Sequence, residues 1–206
     1  NGDVERKFFK DDFSVDSSEN WLVERGSVTV DTTNKKMVVS GIPVGDSLYY
    51  LKPTIPVPYG RKISYVCNID PNETNNTAYR YLNLYLGNVH VASFFRMNNA
   101  TGTSCALSPS IIPSDQVEWK PVPYNPGMKV EVEIGATTAK LWVNGVLKNS
   151  GTLKSGVDLS GEFNFRLRVN TGKSVPFELL DVTVSPSISY SDDFTTDTTE
   201  RYQAVT

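Results

Sequence analysis

In residues 78–87, AYRYLNLYLG, ring and amide side chains alternate with leucines. Tyr79, Tyr81, Asn83 and Tyr85 fall on one side of an extended chain, and Leu82, Leu84 and Leu86 on the other. The leucine side belongs in a core. The other side offers flat rings beside a planar amide, groups that stack on C–H patches and hold hydroxyls. The same rings would equally serve to brace a sheet through cross-strand pairs. The following segment, 89–97, sets His90, Ala92, Phe94 and Arg96 against Val89, Val91 and Phe95, and a hairpin around Gly87-Asn88 would lay the two rows side by side. Residues 163–170 add Asn164, Arg166 and Arg168 on their polar side, and Trp119 and Tyr124 stand in a proline-rich stretch that could overhang the groove.

Other chemistry is sparse. Glu131 and Glu133 share one side of a strand at i, i+2. Two carboxylates about 5 Å apart can act as acid and nucleophile on a glycosidic bond, but here the alternation turns both toward solvent. His90 is the sole histidine and no GxSxG elbow accompanies it. Cys67 and Cys105 are the only cysteines and have no CxxC partner, which excludes a cysteine metal cluster. Cys67, on the apolar side of 63–69, reads as a buried thiol, with a Cys67–Cys105 disulfide as the alternative in a secreted chain. These features predict a chain that is not an enzyme.

The elements that must position these residues are strands. Period-two alternation bounded by Gly, Pro, Asn and Asp recurs at 27–31, 36–41, 48–52, 61–69, 78–87, 89–97, 128–135, 138–145, 163–170 and 177–184, and almost nothing carries a helical period. Asn144-Gly145 is the residue pair that best accepts the two positive φ angles of a type I′ turn. It joins 128–149 into a three-stranded meander with Val130, Val132, Ile134, Leu141 and Val143 inward. Five prolines between 105 and 127 mark a long surface excursion with an edge strand at 116–120.

At 206 residues the chain suits one large β-domain. A net charge of −3 with scattered Lys and Arg argues against nucleic acid as a partner, and no stretch has the ~20 apolar residues of a membrane span. Sequons at Asn72, Asn75 and Asn99 point to a secreted or cell-surface location.

The opening also recurs at the far end. DDFSVDSSENW at 11–21 returns as DDFTTDTTERY at 192–202, with Asp11, Asp12, Phe13, Asp16 and Glu19 repeated as Asp192, Asp193, Phe194, Asp197 and Glu200, and Trp21 as Tyr202. The acid-x-x-Glu spacing in each predicts a capping box over one helical turn, with the aromatic residues buried on either side. The organisation expected is a module at 1–186 followed, at 187–206, by the start of a second repeat or a strand-exchange tail that docks on neighbouring copies through Asp192, Asp193, Phe194 and Tyr202.

DDFSVDSSENW, KVEVEIGATTAKLWVNGVLKNSG and FNFRLRVNTGKSVPFELLDVTV together resemble the concanavalin A-like lectin/glucanase superfamily, over about residues 9–185. The resemblance implies an all-β, two-sheet antiparallel jelly-roll sandwich with a curved face that often binds sugar. It also implies a calcium position between the first and last strands, at Asp12 and Asp181. Catalytic members carry a carboxylate strand or an Arg/Gln-His/Tyr set, and Glu131 and Glu133 lack the third carboxylate of the former. The expected function is a non-catalytic carbohydrate-binding or adhesion module with a glycan or polysaccharide partner. The alternatives are an assembly subunit joined through 187–206, and a glycoside hydrolase or lyase.

Overall fold

The computed structural model describes residues 8–69, 80–96, 103–122, 127–170 and 176–186, with the backbone alone at Arg96. Fifteen strands fall into two antiparallel sheets. The strands are β1 Phe9–Asp11, β2 Trp21–Val23, β3 Ser27–Asp31, β4 Lys36–Ser40, β5 Tyr49–Pro53, β6 Lys62–Asn68, β7 Arg80–Leu86, β8 Val89–Arg96, β9 Thr103–Leu107, β10 Lys120–Val122, β11 Met128–Ile134, β12 Thr138–Val143, β13 Val146–Thr152, β14 Phe163–Val169 and β15 Phe177–Ser185. One sheet runs β13-β12-β11-β6-β15-β4-β3, with β1 also paired to β15. The other runs β10-β9-β8-β7-β14-β5-β2. Consecutive strands cross repeatedly between the sheets, and their inward side chains meet in one core, as the expected jelly roll requires.

Alternation decides what enters that core. Val130, Val132, Ile134, Leu141 and Val143 are buried from one side, and Leu82, Leu84, Leu86, Phe163, Phe165 and Leu167 from the other. The Asn144-Gly145 turn has φ of 50° and 77°, the double positive value expected of it. The excursion after Leu107 differs from expectation. A short 3-10 turn occupies Ser114–Gln116, and the edge strand is the three-residue β10 that follows it. Gln116 instead braces β13, its Oε1 accepting from the Thr152 amide at 2.7 Å.

The opening segment links the two sheets, since β1 lies beside β15 and β2 beside β5. Its organiser is Asp11 rather than a capping box. Asp11 Oδ2 accepts from Ser17 Oγ at 2.7 Å and from Trp21 Nε1 at 2.8 Å, while Oδ1 accepts from the Phe13 amide at 3.0 Å. Asp16 accepts from the Ser18 amide at 3.1 Å, an Asx turn, and the Ser17 cap position makes no side-chain capping bond. Phe13 is fully buried at φ 54°, a left-handed conformation costly for an aromatic residue and held here by the Asp11 bonds. Residues 187–206, and with them Asp192, Asp193, Phe194 and Tyr202, lie outside the described residues.

A candidate site on the seven-stranded sheet

The outer face of the seven-stranded sheet gathers most of the residues singled out above. On β7, Tyr81, Asn83 and Tyr85 point away from the core. On β14, Arg168 pairs with Tyr81, Arg166 with Asn83 and Asn164 with Tyr85. A bulge in β8 sets what its neighbour contributes. Tyr85 pairs with His90, but Leu84 pairs with Ala92, so Val91 is the extra residue. One inserted residue exchanges the faces of everything beyond it. His90 is therefore outward as expected, whereas Phe94 is a core residue at 1% exposure, paired with Leu82. Ala92 is likewise inward, and Ser93 and Phe95 take the outward places. Period-two reading carried through a bulge could not find this.

Two stacks cross the face. Arg168 lies over the Tyr81 ring at 5.4 Å, Tyr81 stacks on Phe95 at 5.3 Å, and Trp119 meets Phe95 edge-on at 4.7 Å. Arg166 covers Tyr85 at 4.1 Å, and Tyr85 stacks on His90 at 4.9 Å. Tyr81 and Tyr85 thus spend their ring faces on cross-strand partners. The aromatic surface left open belongs to Trp119, 51% exposed, and in part to Tyr50 on β5, opposite Arg166, with Lys52 Nζ 5.7 Å from its ring centroid. Tyr50 was missed from the sequence, although the alternation in 48–52 carried the signal. Tyr79 and Tyr124 lie outside the described residues, and of Arg96 only the strand position is given.

The polar groups of β7 and β14 on this face are incompletely paired. Asn83 Oδ1, Asn164 Oδ1, Arg166 Nε and Arg168 Nε are buried without a hydrogen-bond partner, a cost of about 1–3 kcal/mol each that a ligand or water would relieve. The remaining bonds fix the guanidiniums: Arg166 donates to Asn88 Oδ1 at 2.6 Å and to the Gly87 carbonyl at 3.3 Å, and Arg168 pairs with Asp46. Burial lowers the His90 pKa to about 4, aided by Arg166 and opposed by the Ala92 backbone. Burial raises that of Tyr85, with Arg166 opposing. At neutral pH the imidazole is uncharged and the phenol keeps its proton. Ser93 Oγ lies 2.9 Å from His90 Nε2.

Two carboxylates stand at the ends of β14, and Glu24 accepts from the Tyr50 amide at 3.2 Å. Glu162 pairs with Lys52 at 3.3 Å and Asp46 with Arg168, at opposite ends of β14. Six residues at ~3.3 Å put them about 20 Å apart along the strand, well beyond the ~5–9.5 Å that two-carboxylate hydrolysis uses. Glu131 and Glu133 lie on the other sheet, paired with Lys129 at 3.0 Å and Lys62 at 3.5 Å, which agrees with their solvent-side reading. Cys67 and Cys105 are buried free thiols, with burial pushing the Cys105 pKa up to about 11. Asp181 Oδ1 is buried and unpaired. Burial raises that carboxyl's pKa, Lys10 opposes, and Asp12 raises it further, so Asp12 and Asp181 share a neighbourhood. Among the described residues no helix is long and apolar enough to cross a membrane.

No protein-family model matches the chain, and no curated protein matches it by sequence. Its shape is common among solved structures. A β-glucanase of Bacillus licheniformis superposes with a TM-score of 0.61 at 10% identity, over 86% of this chain and 97% of that one. The Crh5 transglycosylase gives 0.62 at 12% identity over 88% and 85%. A lichenase (β-1,3-1,4-glucanase) derived from a mouse hindgut metagenome gives 0.60 at 8% identity over 88% and 100%. The chain shares the jelly-roll fold of these structures, the fold that the resemblance of its motifs to the concanavalin A-like lectin/glucanase superfamily implied. The expectations of a non-catalytic binding or adhesion module and of no enzyme are corrected by this comparison, since the three structures named, which share the shape, are two glucanases and a transglycosylase.

Proposed function

We propose that the chain is a polysaccharide-cleaving enzyme working on the outer face of the seven-stranded sheet. The observation that carries this is the set of buried, unpaired polar atoms on Asn83, Asn164, Arg166 and Arg168 along β7 and β14, beside the Tyr85–His90 and Tyr81–Phe95 stacks, on a glucanase-shaped scaffold. Trp119 and Tyr50 flank it with open ring surface on which sugar rings can stack.

The groups present suit β-elimination on an acidic polysaccharide. Arg166 and Arg168 would hold the sugar carboxylate, and the unpaired Oδ1 atoms of Asn83 and Asn164 would accept from sugar hydroxyls. Neutral His90 would take the proton from the carbon next to that carboxylate. The C–H electron pair becomes a double bond as the C–O bond to the leaving sugar breaks, and the Tyr85 phenol returns a proton to that oxygen. An anion bound beside the imidazole also raises its proton affinity, bringing His90 nearer to a working base. A second reading, hydrolysis or transglycosylation of a neutral glucan, is favoured by what the neighbouring structures are named for, with Glu162 and Asp46 as the carboxylates at the margins of this face.

Incubation with polyuronates and with β-glucans separates the two. New chain ends bearing an ultraviolet-absorbing double bond mean elimination, and new reducing ends without it mean hydrolysis. Intact chains in every polysaccharide would overturn the proposal. Calcium at Asp12 and Asp181 is a separate proposal, supported by the unpaired Asp181 oxygen. Calcium should raise the unfolding midpoint of the chain and leave Asp181→Asn unmoved.

A further inference from the structure

Arg166 and Arg168 stand two places apart on β14, yet their charges are met differently. Arg166 lies on the Tyr85 ring and donates to Asn88 Oδ1 and to the Gly87 carbonyl, both uncharged acceptors. Among the described residues no carboxylate pairs with it. Arg168 already holds one, Asp46, whose Oδ1 accepts from its Nη2.

Asp46 does not belong to the sheet. It stands in the loop between β4 and β5, which is pinned beside the end of β14. Val44 forms a bridge with Val169, and the Gly45 amide donates to the Val169 carbonyl at 2.8 Å. The pinning brings the Asp46 side chain to Arg168 while leaving it 87% exposed. The Asn170 amide, in the orientation that serves both groups, donates to Asp46 Oδ1 at 2.8 Å and accepts from Arg168 Nη2 at 3.2 Å.

An ion pair this open to water contributes little, and its carboxylate can turn out into solvent at small cost. Arg168 does not need it to stay in place. The Tyr81 ring lies 5.4 Å from its guanidinium, and Asn170 remains as an acceptor. A ligand carboxylate arriving from solvent can take the place of Asp46 and accept from two N–H groups at once, the fork that suits arginine.

We propose that Asp46 is the chain's own competitor for the sugar carboxylate, holding Arg168 in the free chain and giving up the place when an acidic sugar binds. This role rests on the acidic-polysaccharide reading above and adds to it a determinant of affinity that lies outside the sheet. Asp46 also repels an approaching anion over the ~8 Å range of exposed charges at physiological salt. A neutral glucan brings nothing to exchange with it, so Asp46 weakens the binding of acidic chains alone.

Equilibrium binding of an oligomeric polyuronate, measured by calorimetry at low salt, tests this on three full-length chains. They are the unaltered chain, Asp46→Asn, and Glu133→Gln, which removes the same charge from the opposite sheet. Asp46→Asn should bind about two- to fivefold more tightly, the factor that an exposed ion pair can supply, and the difference should shrink at high salt. Glu133→Gln should bind as the unaltered chain does. Equal or weaker binding by Asp46→Asn would overturn the competition, weaker binding making Asp46 a support for Arg168, and either result would leave the acidic-polysaccharide reading standing. Equal tightening in Glu133→Gln would reduce the effect to overall charge and overturn it as well. Polyuronate bound by neither the unaltered chain nor Asp46→Asn would remove the acidic-polysaccharide reading itself, and the competition with it.

Discussion

His90 is the only histidine, so its titration can be followed as a single imidazole signal. Stacked on Tyr85, close to Arg166 and bonded to Ser93, it should titrate near pH 4 rather than near 6.5. The same shift fixes the sign of a stability change. Between pH 6.5 and 4 the unfolded chain binds the proton and the folded chain does not, so this group's contribution is complete above pH 6.5 and is lost as the pH falls. The full shift corresponds to about 3 kcal/mol, of which about 2.5 kcal/mol is lost by pH 4.5. NMR of the imidazole gives the midpoint, and urea unfolding at pH 7 and at pH 4.5 gives the energy. Subtracting the same pair of measurements for His90→Gln removes the carboxylates that titrate nearby. A midpoint near 6.5, or an identical acid loss in His90→Gln, would mean an imidazole open to water and would remove the reason for treating it as an uncharged proton acceptor.

Phe94→Ala should cost about 3–5 kcal/mol, the usual cost of removing a buried ring, while Phe95→Ala should cost less and act mainly by loosening Tyr81 and Trp119. Equal losses in denaturant unfolding would place the β8 bulge elsewhere. Gly161→Ala should destabilise by about 2–4 kcal/mol, because its Cβ would sit 2.5 Å from the Gly87 amide nitrogen, backbone that has no side-chain freedom to yield. An unfolding midpoint unchanged by this substitution would deny the close approach that seats the β7–β8 turn against the start of β14.

Much of this fold was legible because short-range rules carried it. Alternation located the long strands, and Asn144-Gly145 fixed one hairpin through the φ values that only such residues accept easily. The elements that escaped are the short ones, β1, β2, β9 and β10, whose three to five residues carry little period, and of these β1 and β2 also pair with strands far away in sequence. At the site, Tyr81, Asn83, Tyr85, Arg166 and Arg168 were legible from parity alone. Phe94 was not, because the bulge at Val91 changes parity without a glycine or proline to announce it. The Asp11 bonds were hidden for a different reason: the acid-x-x-Glu spacing offered a local partner, whereas the donors that matter are six and ten residues on. Activity could not be read from carboxylate spacing, since the centre of the face holds rings, guanidiniums and amides, with Glu162 and Asp46 at the two ends of β14.

The most direct test of the working face compares cleavage by the unaltered chain with that by His90→Gln, Arg166→Met and the Glu131→Gln/Glu133→Gln pair, on whichever polysaccharide it cuts. Cleavage should fall at least about 100-fold in the first two, the usual worth of a placed proton-transfer group, and persist in the third, whose residues lie on the opposite sheet. Full activity in His90→Gln and Arg166→Met, or its loss with the glutamate pair alone, would move the chemistry off this face.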